Sequence, residues 1–191
     1  SFTPSIAFFA ALIGLPGCEP GNPTGAGGAP PDSVPAVARA KVVFPADLQA
    51  DDATVNAMLN DAMSACVDGD YDAFRRLWSA KDDPVPRERF VNHFKTVESM
   101  IVRALEADPD PQRQAYAVCV EITFDKEKLP PQHELQADPR RLVVLLIVRE
   151  QDQWRFAKAP KAVRTWMSEK IGEADVPDDD LLGRGDRESQ R

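Results

Sequence analysis

Residues 116–124 read Tyr-Ala-Val-Cys-Val-Glu-Ile-Thr-Phe, and residues 142–148 read Leu-Val-Val-Leu-Leu-Ile-Val. In the first stretch large apolar side chains alternate with small or polar ones, which is typical of a strand with one face in the core. The second stretch is apolar throughout, which favours a central strand covered on both faces. A turn at 150–152 leads to a third apolar-patterned segment at 153–159, so the three segments predict an antiparallel meander.

Residues 46–172 contain the segments that can form one compact core, and helical spacing dominates their first part. Apolar side chains recur with a helical period over 52–67, which predicts the first helix. Asp51 or Asp52 can cap its N-terminus, and Gly69 stands where a left-handed residue ends many helices.

Two shorter helices are predicted next, at 72–79 and 87–96. The pattern that follows is ambiguous, because apolar residues in helical phase also allow the third helix to continue. We favour a strand at 98–106, since a β-branched pair precedes an Asp-Pro-rich turn. With a short amphipathic helix at 161–171, this order predicts an α+β fold, in which N-terminal helices pack on an antiparallel sheet.

The segments 69–78 (Gly-Asp-Tyr-Asp-Ala-Phe-Arg-Arg-Leu-Trp) and 87–90 (Arg-Glu-Arg-Phe), with the hairpin at 145–156, resemble the nuclear-transport-factor-2-like superfamily. The resemblance covers residues 52–158. It implies a cystatin-like cone, in which a strongly curved sheet wraps around helices and often encloses a pocket. Members of the superfamily include ketosteroid-isomerase-like and SnoaL-like enzymes, non-catalytic domains and bacterial lipoproteins.

Within such a cone, four aromatic side chains are our candidates for the lining of a pocket. They are Trp78, Phe94, Tyr116 and Trp154. The alternative is that they fill the core, as aromatic residues at these spacings do in most domains. Enzymes of the superfamily place Asp, His or Tyr inside the cone, but no such motif maps onto this chain residue by residue. We therefore assign no catalytic residue.

The first 17 residues have the character of a signal peptide. The apolar run at 6–15 is shorter than the about 20 residues that span a bilayer. Leu-Pro-Gly-Cys at 15–18 resembles a bacterial lipobox, in which cleavage precedes a cysteine that receives lipid. We expect Cys18 to carry this lipid and to anchor the protein to a membrane. The alternatives are a cleaved secretory signal with a chance cysteine, and a buried N-terminal helix.

The segments that flank the core predict a tethered domain. Residues 18–45 are rich in proline and glycine and poor in large apolar side chains, which indicates a flexible tether. Residues 173–191 carry seven acidic and three basic side chains, which indicates an acidic disordered tail. Together with the lipid on Cys18, this organisation predicts a location in the bacterial cell envelope, facing the periplasm or the exterior.

Charge and motif content exclude several classes of function. The net charge of −8 argues against nucleic-acid binding, which requires a basic surface. Only Gly69 and Gly172 lie between residues 46 and 172, which excludes a glycine-rich phosphate loop there. The two histidines, His93 and His133, are forty residues apart in the sequence, and no ligand spacing suggests a metal or cofactor. A structural, partly buried His93 is favoured over a general base.

Cys66 and Cys119 remain after the lipidation site. In an oxidising compartment they can form one disulfide. Cys66 lies on the helix face expected to meet the sheet, however, whereas Cys119 alternates away from the large apolar face of its strand. Two buried thiols are therefore favoured over a bridge.

Three functional hypotheses follow. The preferred one is a lipid-anchored, non-catalytic domain that binds a small apolar ligand or a protein partner. The alternative is a small lyase or isomerase that uses acid–base residues in the cone. A third hypothesis is a homodimer through the sheet, because the second face of the apolar run at 142–148 requires cover.

Overall fold

The computed structural model describes residues 39–108, 110 and 112–173. The expected signal peptide, the lipidation site Cys18, residues 18–38 of the expected tether and all but the first residue of the acidic tail lie outside these ranges. In the described part of the chain, no helix is both long and apolar enough to cross a bilayer.

The predicted α+β order is confirmed, because three helices precede most of the sheet and one helix follows it. The segment after Thr96 is a strand, as predicted. The helices are α1 (Ala53–Asp68), α2 (Tyr71–Arg76), α3 (Arg87–Phe94) and α4 (Lys161–Ile171). The strands are β1 (Lys41–Val43), β2 (Val97–Ala107), β3 (Ala115–Phe124), β4 (Arg140–Glu150) and β5 (Gln153–Lys158).

Capping residues determine where α1 starts and ends and where α2 starts. The Asp52 carboxylate accepts a hydrogen bond of 2.8 Å from Thr54 N, so Asp52 is the N-cap of α1. Gly69 ends α1 in the left-handed region, with φ 67°. Asp70 then caps α2 by accepting a hydrogen bond of 2.9 Å from Ala73 N.

The end of α2 differs from the prediction. The helix stops at Arg76 instead of residue 79, because the chain leaves it to pair with the edge of β5. Ser79 N donates to Phe156 O at 2.8 Å, and Phe156 N donates to Leu77 O at 2.7 Å. These bonds satisfy the free edge of the last strand, which a continued helix could not do.

The sheet has the order β1-β2-β3-β4-β5. The meander from β2 to β5 is antiparallel, as predicted. The sheet as a whole is mixed instead of purely antiparallel, because β1 pairs with β2 in parallel. The residues of β1 fall in the segment 18–45 that was expected to be tether. Two β-branched valines there pair with the outer edge of β2, so the fold starts before the predicted boundary at residue 46.

Helices cover the sheet on both faces. One core cluster joins α1, α2 and α3 to one face of the sheet, where Val143, Leu145 and Ile147 of β4 are buried. A second cluster places Met167 of α4 against the opposite face, which includes Val144. The prediction that residues 142–148 form a central strand covered on both faces is confirmed. The cover on the second face comes from this chain's own last helix.

The two cysteines of the folded region belong to different clusters. Cys66 is buried in the first cluster and Cys119 in the second, and neither forms a disulfide. The arrangement with two buried thiols, favoured from their phases, is the one that the structure has. Burial raises the pKa of both thiols, and that of Cys119 reaches about 12.

Candidate functional site

The four aromatic candidates lie in one apolar core, as two pairs. Trp78 and Phe94 are buried, and their ring centroids lie 5.9 Å and 6.5 Å from that of Phe74. Tyr116 and Trp154 are half-buried at the edge of the same cluster, with their ring centroids 5.5 Å apart. These contacts place the four rings in or beside the apolar core, and Trp78 also lines the cleft described below.

Trp154 also has a polar role. Its Nε1 donates to Asp52 Oδ2 at 3.1 Å and to Thr54 Oγ1 at 3.0 Å. These acceptors are the cap residues of α1, so the indole nitrogen joins β5 to the start of the first helix. The hydrogen bonds from Thr54 lower the pKa of Asp52, with a smaller contribution from Trp154.

A cleft of about 630 Å³ opens between the end of α2 and the hairpin of β4 and β5, and we call it the basic cleft. Five cationic side chains and one acidic side chain line it, which gives it a net charge of +4 in a chain of −8. Its charged residues are Arg75, Arg76, Lys81, Arg149, Arg155 and Glu150. A concave cationic site on an acidic protein concentrates field lines and attracts anions.

Glu150, the acidic residue of the basic cleft, forms hydrogen bonds to the segment on the other side of the cleft. Glu150 Oε1 accepts a hydrogen bond from Ser79 Oγ at 2.6 Å, and Glu150 Oε2 accepts one from Ala80 N at 3.4 Å. The bond from Ser79 is the main reason why the pKa of Glu150 is below its ordinary value, and nearby Lys81 and Arg155 lower it further. Glu150 therefore joins the hairpin to the segment after α2.

Two of the arginines are held in place by neighbours on the hairpin. The Arg149 guanidinium lies 5.5 Å from the Trp154 ring centroid, and its Nη2 is 3.7 Å from Asp152 Oδ1. Arg155 donates to the Gln153 side chain and, at 3.5 Å, to Trp154 O. This arrangement lowers the entropy that these side chains lose when they bind a ligand.

The other three cations are available to a ligand. Within the described ranges, Arg75, Arg76 and Lys81 form no ion pair with a carboxylate. Trp78 also lines the cleft; it is 3% exposed, and its Nε1 has no hydrogen-bond partner among the described residues. Such a buried donor without an acceptor is unusual in folded proteins.

A neighbouring hollow of about 600 Å³ provides a contrast. Its Arg113 is neutralised locally, because Nε lies 3.4 Å from Asp110 Oδ2 and Nη1 lies 4.0 Å from Asp108 Oδ2. Arg149 also lines this hollow, together with its neighbour Asp152. The charged residues that line the hollow, Asp108, Arg113, Arg149 and Asp152, sum to zero, whereas those of the basic cleft sum to +4.

His93 occupies the last turn of α3, apart from the residues that line the basic cleft. It is half-buried, and its Nδ1 has no hydrogen-bond partner among the described residues. Burial lowers the pKa of His93, nearby Arg89 and His133 lower it further, and Glu134 opposes them. His133 caps a short helical turn, because its Nδ1 accepts a hydrogen bond from Leu135 N at 3.2 Å.

Sequence reasoning did not find the basic cleft. Arg75 and Arg76 end a helix, whereas Arg149 and Arg155 flank a tight turn, and each pair alone is typical of a solvated surface. The bridge between Trp78 and Phe156 and the hydrogen bond between Ser79 and Glu150 bring the two pairs to one cleft. The signal in the sequence is the presence of arginines at two element ends of an acidic chain.

No protein-family model matches this chain, and no match was found among the curated proteins compared with it. The residues that the structure describes contain no group of three or more side chains that could together hold a metal ion.

Proposed function

We propose that this protein is a lipid-anchored, extracytoplasmic binding protein whose domain takes an anionic ligand in the basic cleft. The observation that carries the proposal is the net charge of +4 in one cleft of a chain whose total charge is −8. A ligand pocket of this size lies in the usual range of small-molecule sites, about 300–1,000 Å³. The sequence-based hypothesis of a binding domain is kept, and its ligand changes from apolar to anionic.

The anchor part of the proposal rests on the lipobox-like residues at 15–18 and the tether-like composition after them. The order of helices and meander supports the proposed resemblance to the nuclear-transport-factor-2-like cone. A homodimer through the sheet remains a proposal, but α4 supplies cover on the face that motivated it.

Membrane anchoring is tested by Cys18→Ala in the producing bacterium. We expect the unchanged chain in the membrane fraction and the variant in the soluble fraction. A Cys18→Ala chain that stays in the membrane would contradict a lipid anchor at this residue.

Binding in the basic cleft is tested by the melting temperature at constant ionic strength. We expect citrate and pyrophosphate to raise it relative to chloride, because polyvalent anions neutralise crowded positive charge. Arg75→Glu with Arg155→Glu removes the response. Arg113→Glu, in the neighbouring hollow, keeps it. A response that survives the double variant, or no response in the unchanged chain, overturns the proposal.

The alternative of a small lyase or isomerase is favoured by one observation, the half-buried His93 with an unpartnered Nδ1. A lowered pKa keeps this imidazole neutral, as a general base requires. Turnover of a steroid-like or polyketide-like ketone that is lost in His93→Gln would support this alternative. Turnover that survives the substitution would remove His93 from it.

A further inference from the structure

We propose that the ligand of the basic cleft presents a phosphate group with two or more negative charges, as a phosphomonoester or a diphosphate. This inference rests on the proposed function and specifies its ligand. A phosphomonoester carries a charge of about −1.5 to −2 at neutral pH and three strong acceptor oxygens. Its charge matches a cleft that is lined by five cations and one carboxylate, with Asp152 as a second carboxylate beside Arg149.

The directions from which the cations approach favour phosphate over carboxylate. Arg75 and Arg76 come from the last turn of α2, Lys81 comes from the segment after it, and Arg149 and Arg155 come from the hairpin. A carboxylate is planar and is satisfied by one or two guanidinium groups in its plane. A phosphate has tetrahedral oxygens, which accept hydrogen bonds from several walls at once.

The types of residue in the cleft also favour phosphate over carboxylate. Four of the five cations are arginines, whose planar forks bind phosphate oxygens in pairs. Arg149 and Arg155 are already positioned by Trp154, Asp152 and Gln153, so less ordering is required on binding.

The cleft also has room beyond one phosphate. A volume of about 630 Å³ accommodates the remainder of a phosphorylated molecule or a second phosphate. A soluble phosphate ester and a phospholipid headgroup ending in a phosphomonoester present the same chemistry. The experiment therefore has one arm for each source.

The test is calorimetric titration of the full-length chain with pyrophosphate, and separately with citrate at equal ionic strength. We expect pyrophosphate to bind at least ten times more tightly than citrate. Arg75→Gln with Arg155→Gln should weaken pyrophosphate binding at least tenfold, and Arg113→Gln should leave it unchanged. Circular dichroism confirms that each variant is folded. Arg76→Gln with Lys81→Gln is a second cleft variant, for use if the first one unfolds.

The lipid arm uses full-length Cys18→Ala, so that no lipid on this residue contributes. Vesicles of phosphatidylcholine with phosphatidic acid are compared with vesicles of phosphatidylcholine alone. Cleft-dependent binding to the phosphatidic acid vesicles assigns the phosphate to a headgroup. Pyrophosphate binding without it assigns the phosphate to a soluble molecule. Either result supports phosphate recognition.

The outcomes that overturn the inference separate it from the proposed function. Citrate binding as tight as pyrophosphate, lost in the cleft variant, overturns phosphate recognition and leaves the anion site standing. Absence of binding by both anions and by the vesicles overturns both proposals. Pyrophosphate binding that survives both cleft variants also overturns both, because the anion then binds elsewhere.

Discussion

At the scale of single residues, the indole nitrogen of Trp154 joins two distant parts of the chain. It donates to Asp52 and Thr54 at the start of α1, while its ring packs on Tyr116. Trp154→Phe keeps most of the ring and removes both hydrogen bonds. We expect the melting temperature to fall by about 2–5 °C, as for the loss of a hydrogen bond in a domain of this size.

The control for this prediction is Trp166→Phe, which makes the same change on α4. Trp166 packs against the second core cluster, on the other face of the sheet. An equal effect of the two substitutions would mean that ring size, and not the hydrogen bonds to the cap of α1, determines the loss.

The second prediction at this scale concerns His93 and acid. Burial lowers the pKa of His93 in the folded state, so the unfolded state binds a proton more readily. The stability that His93 contributes is complete above its ordinary pKa of about 6.5, and it decreases as the pH falls through the native value. We expect urea unfolding to show a smaller loss between pH 7.5 and pH 5.5 in His93→Gln than in the unchanged chain. An identical loss in both would contradict this assignment.

At the scale of elements, Gly69 determines how α1 ends. Its φ of 67° lies in the left-handed region, and a Cβ added there would meet no atom within 4 Å. The cost of a substitution is therefore one of backbone conformation and not of space. We expect Gly69→Ala to lower the free energy of unfolding by about 1–2 kcal/mol in urea titrations. Gly69→Asn should cost less, since asparagine tolerates this conformation, and the reverse order would contradict the explanation.

The packing of α4 against the second face of the sheet is also testable. Met167 is fully buried in the cluster that contains Cys119, so Met167→Ala leaves a cavity against the sheet and costs about 2–5 kcal/mol. We expect a thiol reagent to label Cys119 faster in this variant, in a Cys18→Ala background, with mass spectrometry to locate the label. Met58→Ala in α1 is the matched control and should expose Cys66 instead. Equal acceleration at both cysteines would indicate global unfolding.

At the scale of the whole molecule, local patterns were sufficient for most of the fold. Alternation identified β3 and the apolar run identified β4, because both patterns follow directly from which faces are buried. The sequence did not predict β1. Its three residues follow a proline-rich segment, and they form a strand because they pair with the edge of β2. The end of α2 was misplaced for the same kind of reason, since its last residues pair with β5.

The candidate site depends even more on tertiary structure. The hydrogen bond between Ser79 and Glu150 spans 71 positions in sequence, and no local pattern specifies it. The four aromatic residues predicted to line a pocket belong to the first core cluster or its border, and one of them, Trp78, also lines the basic cleft. The arginines could not be predicted to form a site, because charged residues at the ends of helices and strands are common on protein surfaces. They form a cleft only where the fold brings two such ends together.

The bridge between Trp78 and Phe156 has a consequence for the stability of incomplete chains. One wall of the basic cleft comes from the end of α2 and the segment after it, and the other wall comes from the hairpin of β4 and β5. A chain that ends before Arg149 therefore contains only one wall of the site. A ligand of the cleft stabilises only finished copies, by mass action. Copies truncated before the hairpin lack the second wall and therefore cannot gain this stabilisation.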